Sequence, residues 1–161
     1  MRERIPFDVE SVRHKAGICF ICEFISGKPE YRHIEVARSE NAIAFMSKYP
    51  TLEGYVLVAP LAHKEQVAGD FRQLEYLDLQ KFVFQVAEAV REVMKPERVY
   101  ILSLGSQAAN AHVHWHIAPL PPKTPLEQQQ YYALMHENGV IETSDAELTS
   151  LAEKIGAAVN S

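Results

Sequence analysis

His112-Val113-His114-Trp115-His116-Ile117 is the stretch on which the reading of this chain turns. In a β-strand successive side chains alternate between faces, so the run predicts three imidazoles on one side and Val113, Trp115 and Ile117 on the other. One face is then available for chemistry and the other for a core. A single strand histidine is ordinarily a surface or hydrogen-bonded core residue. Three at period two, backed by an apolar face and preceded by the small-residue loop Gly105-Ser106-Gln107-Ala108-Ala109-Asn110-Ala111, point instead to a functional site.

Working outward, Val99 to Leu104 reads as a strand, and its short connection to the histidine strand favours an antiparallel neighbour. Upstream, apolar residues recur at helical spacing from Phe71 to Val93 and stop before Lys95-Pro96, with Asp70 as the expected N-cap. Earlier still, Tyr55 to Pro60 is a nearly all-apolar strand whose ladder Pro60 ends, leaving His63 at a strand end. Ile34 to Arg38 and Ala42 to Met46 read as two strands joined at Ser39-Glu40-Asn41. Downstream, the proline-rich run 119–125 interrupts regular structure. Leu126 to Glu137 is expected as a helix, and the capping box from Ser144 to Glu147 opens a last helix to about Val159.

At 161 residues and 47 % apolar the chain is expected to form one globular domain with its own core. A net charge of −5 argues against a nucleic-acid partner held by diffuse charge, yet permits a local pocket for a small nucleotide. The polar extension 1–17 has no apolar core of signal-peptide length, and no later run reaches membrane-span length, so no membrane partner and a cytoplasmic location are expected. Cys19 and Cys22 are the two cysteines, too close in sequence for a long disulfide loop. Their Cys-x-x-Cys spacing suits a redox dithiol, half of a zinc site, or two small core residues, the first ranking last because a βαβ context is missing.

Same-face strand residues lie roughly 6.6 Å apart, so the three imidazoles cannot all converge on one ion. A closed zinc site would draw on Cys19, Cys22 and His63, with His112 nearest the small-residue loop, and a full tetrahedron suits a structural role. His114 and His116 then remain for nucleophilic and acid–base work. An imidazole nitrogen can attack an α-phosphate, with Ser106, Gln107 and Asn110 as candidate donors to its oxygens.

These residues carry a resemblance. His112-Val113-His114-Trp115-His116 is similar to the His-x-His-x-His signature of the histidine-triad (HIT) family of nucleotide hydrolases and transferases. The segment from Gly54 to His63 resembles that family's Gly-His-x-Leu-Val-x-Pro-x-x-His segment, and Cys19-Phe20-Ile21-Cys22 resembles the Cys-x-x-Cys of its zinc-containing bacterial branch. The resemblance covers roughly Cys19 to Pro122 and implies an α+β fold: a five-stranded antiparallel sheet with a long helix, here followed by a C-terminal helical extension. It divides the chain into an extension (1–17), a HIT domain (18–122) and a C-terminal extension (123–161).

The resemblance further implies a homodimer with joined sheets, His114 as a nucleophile forming a nucleotidyl-histidine, His116 against the phosphate, and structural Zn²⁺ on Cys19, Cys22, His63 and His112. Ser47 falls near the position of a ribose-binding acid, and Tyr55 stands where the family often has a histidine. His116 in the third triad position, rather than glutamine, favours a hydrolase. The expected activity is hydrolysis of nucleoside phosphoramidates or dinucleoside polyphosphates. A zinc hydrolase using His112 and His114 as ligands, or a nucleotide-binding scaffold with little activity, are the alternatives. Tyr131, Tyr132 or the final helix is expected to border the site or the partner.

Overall fold

Alternation of apolar side chains along residues 42–60 and 115–120 builds a sheet with two different faces. The computed structural model describes residues 2–12, 17–107 and 110–161. In chain order its elements are β1 (Arg4–Ile5), α1 (Val9–Val12), α2 (Phe20–Ile25), β2 (Glu35–Arg38), β3 (Ala42–Met46), β4 (Val56–Pro60), α3 (Gln73–Met94), β5 (Arg98–Ser103), β6 (Trp115–Leu120), α4 (Tyr131–Leu134), β7 (Val140–Ile141) and α5 (Asp145–Val159). The main sheet has the order β2-β3-β4-β6-β5, antiparallel throughout. This is the expected α+β architecture. Arg13, His14 and Lys15 of the polar extension, and Ala108 and Ala109 of the small-residue loop, lie outside the described residues.

Ala44, Met46, Val56, Val58, Trp115 and Ile117 point to one face, where α3 and α5 cover them. From α3, Phe82, Val83, Val86 and Val90 are buried there, each contributing about 1.5–3 kcal/mol. A Cβ on Gly156 would sit 2.4 Å from the Val36 carbonyl oxygen, so glycine is what lets α5 settle against β2. Ile43, Phe45, Leu57, Ala59, Ala118 and Leu120 face the other way, under α2 and Ala133. The cavity described below opens on this second face.

Three expectations need correction. The histidine strand starts at Trp115, not His112. Its upstream backbone is engaged elsewhere: Val113 N–H donates to Lys64 O at 2.7 Å, and the His114 carbonyl accepts from Ser103 Oγ at 2.8 Å. Asp70 is not the cap of α3, which starts at Gln73 behind Arg72. The Asp70 carboxylate instead accepts from Glu65 N and Gln66 N, both at 2.9 Å, and shapes the loop after His63. Residues 126–137 do not make one helix. They break into two 3-10 turns around the four-residue α4, with Gln130 at φ 54° just before it. The N-terminal extension, for which the sequence predicts no conformation, contributes a strand, β1, paired antiparallel with β7. No helix among the described residues is long and apolar enough to cross a membrane.

Candidate functional site

Two adjoining sites grow from the segment ahead of β6. The first gathers Cys19, Cys22, His63 and His112, whose ligand atoms all lie within 4.8 Å of one another. Cys19 caps α2, its sulfur accepting from Cys22 N at 3.4 Å, so the helix start fixes both thiols. His112, fully buried, sends Nε2–H to the Pro60 carbonyl at 2.9 Å. A carbonyl only accepts, so His112 Nδ1 keeps its lone pair, and it lies 3.4 Å from each thiol sulfur. His63 repeats the pattern, with Nε2 on Glu65 Oε1 at 3.1 Å and Nδ1 3.3 Å from Cys22 Sγ.

Ligands on a tetrahedral zinc would be about 3.3–3.8 Å apart given ordinary Zn–N and Zn–S lengths, and each imidazole here has the oriented outer hydrogen bond that metal histidines carry. Burial, then the neighbouring Cys19, pushes the Cys22 thiol up to about 11, a crowding that a divalent cation would relieve. Burial also lowers His112 to about 4, keeping it in the neutral form that ligates. The donor set fits a metal.

The second site is a cavity of about 320 Å³ lined by His114, His116, Asn110, Tyr55, Lys48 and Ser47, among other residues. His114, 8 % exposed, donates Nδ1–H to the His112 carbonyl at 2.7 Å, which leaves the Nε2 lone pair available. Burial lowers its pKa and holds it neutral. The His114 and His116 ring centroids are 4.8 Å apart.

His116 stands opposite Leu57 in the sheet, close to Tyr55, the residue just ahead of β4, and Tyr55 OH lies 2.9 Å from His116 Nδ1. Burial raises the pKa of Tyr55, so the phenol stays protonated and donates. Nδ1 of His116 is therefore the acceptor and Nε2 carries the hydrogen. Burial, followed by His114 and His136, depresses His116 to about 3, so the ring is uncharged at neutral pH. Both His116 Nε2 and Asn110 Nδ2 are buried without a hydrogen-bond partner among the described residues. Unpaired buried donors are costly, and two on one cavity mark a place prepared for an acceptor.

Of the residues expected to hold phosphate or ribose, Asn110 and Ser47 line the cavity. Ser106 and Gln107 are not among its lining residues; Gln107 Nε2 is directed at Glu65 Oε2 at 3.3 Å. Tyr131 and Tyr132 do not line it either, whereas His136, from the same C-terminal region, does. Sequence reading missed Tyr55 as a site residue, together with Lys48, His33, His136, Phe7 and Tyr49. Tyr55 was within reach through its place beside β4, but the register that brings it to His116 is a property of the folded sheet.

The model for the HIT domain matches residues 28–123. The chain belongs to the HIT family. His63 and the triad fall inside the matched HIT region, while Cys19 and Cys22 precede it. An adenosine 5'-monophosphoramidase of Schizosaccharomyces pombe is 25 % identical over 132 residues, covering 74 % of this chain and 94 % of that protein. In fold, the chain is similar to a hypothetical histidine triad nucleotide-binding protein of Sulfolobus tokodaii, with a TM-score of 0.70 at 23 % identity over 88 % of this chain and 92 % of that one. A zinc-bound histidine triad family protein of Mycobacterium smegmatis also has a TM-score of 0.70, at 18 % identity over 91 % of this chain and 96 % of that one.

Proposed function

We propose that this HIT protein hydrolyses nucleoside phosphoramidates or related nucleotides through a nucleotidyl-histidine at His114. The observation that carries the reading is the convergence on one cavity of the His114 Nε2 lone pair and two buried donors without a partner among the described residues, Asn110 Nδ2 and His116 Nε2. An α-phosphate supplies what both lack, an electrophile for the first and acceptor oxygens for the second. The described lining contains Lys48 and four imidazoles but no carboxylate, which favours an anionic substrate.

In the first step the Nε2 pair of His114 forms a bond to phosphorus as the bond to the leaving group breaks. The leaving atom keeps that electron pair and takes a proton from water. In the second step a water oxygen attacks phosphorus, the N–P bond breaks, the pair returns to His114, and the water's proton passes to solvent. Asn110 and His116 hold the non-bridging oxygens through both steps. Tyr55 keeps the His116 hydrogen on the nitrogen that faces them.

Incubation with adenosine 5'-phosphoramidate followed by an alkaline quench and mass analysis tests this. His114→Ala is expected to lower turnover by at least about 10³-fold and to abolish the adduct. Full activity in His114→Ala would end the proposal.

Cys19, Cys22, His63 and His112 would hold Zn²⁺ as a structural ion, which when bound cross-links α2 to the loops carrying His63 and His112. Elemental analysis of the purified protein checks its presence. A metal-activated water is the weaker reading, because the four clustered ligands close a tetrahedron and His114 Nδ1 is engaged by a carbonyl. The assembly proposed is a homodimer, supported by the edge position of β5, with Ile101 49 % exposed, and by exposed Leu74, Leu77 and Phe84 on α3. Sedimentation that reads a monomer at micromolar concentration would remove this part.

A further inference from the structure

Gln107 does not line the cavity, yet it is tied to a residue that touches the metal-ligating cluster. Glu65 Oε1 accepts from His63 Nε2 at 3.1 Å, and Glu65 Oε2 accepts from Gln107 Nε2 at 3.3 Å. A carboxylate only accepts, which fixes the His63 hydrogen on Nε2 and turns the Gln107 amide nitrogen towards Glu65. One side chain therefore joins two connections of the chain, that from β4 to α3 and that from β5 to β6.

An exposed carboxylate contact is ordinarily loose and contributes little. Glu65 differs because its backbone is held. Its N–H and that of Gln66 both donate to Asp70 Oδ2 at 2.9 Å, and Lys64 Nζ donates to Asp70 O at 2.6 Å. The Lys64 carbonyl in turn accepts at 2.7 Å from the N–H of Val113, between His112 and His114, which pins the loop to the histidine segment itself. On the other side, Ser106 N–H donates to the Asn110 carbonyl at 3.1 Å. Gln107 follows Ser106 directly, and Asn110 brings to the cavity the Nδ2 that has no partner among the described residues. Fixing the Gln107 side chain thus limits where Asn110 can stand.

We propose that Glu65 is a positioning residue for both sites: one oxygen orients His63 for the metal-ligating cluster, and the other holds Gln107 so that Asn110 meets the substrate phosphate. The second half rests on the phosphotransfer reading above. Removing a carboxylate that orients a metal histidine typically weakens the metal about tenfold or more, and a donor displaced by a fraction of an ångström is felt in kcat.

The test uses the full chain with adenosine 5'-phosphoramidate at saturating Zn²⁺, and reads Zn²⁺ affinity separately by competition with a chromophoric chelator. Glu65→Ala should weaken Zn²⁺ binding about tenfold and lower kcat about tenfold, with KM changed less than about twofold. Gln107→Ala should lower kcat by as much and leave Zn²⁺ affinity unchanged, and the double variant should be no slower than Glu65→Ala alone. Glu65→Gln can still accept from His63 and, with the Gln107 amide turned over, still donate to it. This variant should recover most of both losses, and it guards against a folding artefact. Amide exchange at Ser106 should quicken in both alanine variants. A Zn²⁺ affinity that Glu65→Ala leaves unchanged overturns the proposal, as does a kcat within about twofold of the parent or a pair of losses that multiply in the double variant. If the unaltered protein turns over no phosphoramidate, the phosphotransfer reading fails and takes the Gln107 half with it, while the Zn²⁺ affinity of Glu65→Ala still decides the His63 half.

Discussion

His112 and His116 lie four residues apart, yet their surroundings are opposites. Around His112 the ring hydrogen is taken by Pro60 O and the lone pair faces two thiols. Around His116 one nitrogen is engaged by Tyr55, and the other, like Asn110 Nδ2 nearby, is buried without a partner among the described residues. The difference separates a closed polyhedron from an open one. Where the polar atoms are answered among the described residues, the arrangement suits the structural role proposed above. Where donors are left unanswered at a cost of about 1–3 kcal/mol each, the fold keeps them for something that arrives.

The contrast can be broken at either side. Cys22→Ser should cost about 4 kcal/mol of stability in metal-loaded protein, read from denaturant melts, with a matching loss for a chelator and no selective loss of chemistry in whatever remains folded. A chelator that stopped turnover while leaving the melt unchanged would reverse the two roles. Asn110→Ala should lower kcat by about 10²-fold, the usual result of deleting one donor to a developing negative charge, with little change in the melt.

Acid sharpens the contrast through His116. Its pKa of about 3 in the fold lies below the unfolded value of about 6.5, so below pH 6.5 the unfolded chain binds a proton that the folded chain refuses. Stability therefore falls as pH drops from about 6.5 towards 3. His116→Gln cannot titrate and should lose about 2 kcal/mol less than the parent between pH 7 and pH 5. Equal losses would mean that the burial of His116 is not felt in this way. The smallest effect expected is Tyr55→Phe, which frees the His116 ring to exchange tautomers. It should cost about tenfold in kcat with KM little changed, and Tyr55→His, which can still donate to Nδ1, should recover part of it.

Much of the fold could be read from the chain because apolar alternation and helical spacing report local geometry. Ala42–Met46 was predicted to the residue, and the Ser144 capping box marked the start of α5. The parity argument also put Val113, Trp115 and Ile117 in the core opposite the imidazoles, although the strand itself starts later than parity suggests. Asp70 misled because an aspartate accepting two loop amides looks in sequence like one capping a helix. Residues 126–137 misled because helix-compatible residue types there bury almost nothing, Ala133 apart, so no packed face holds one helix together. Tyr55, Phe7 and His136 stayed hidden for a different reason: each reaches the cavity through pairings far apart in sequence, and residue types alone do not fix register.

The pairing of β1 with β7 makes the two flanks of the matched region mutually dependent. Trimming the chain through Ile5 and disrupting it at Val140–Ile141 should produce the same phenotype, since each releases the other. An affinity tag placed directly ahead of Arg4 would then act as an unplanned mutation at the cavity, and amide exchange at Ile5 and Val140 should rise and fall together.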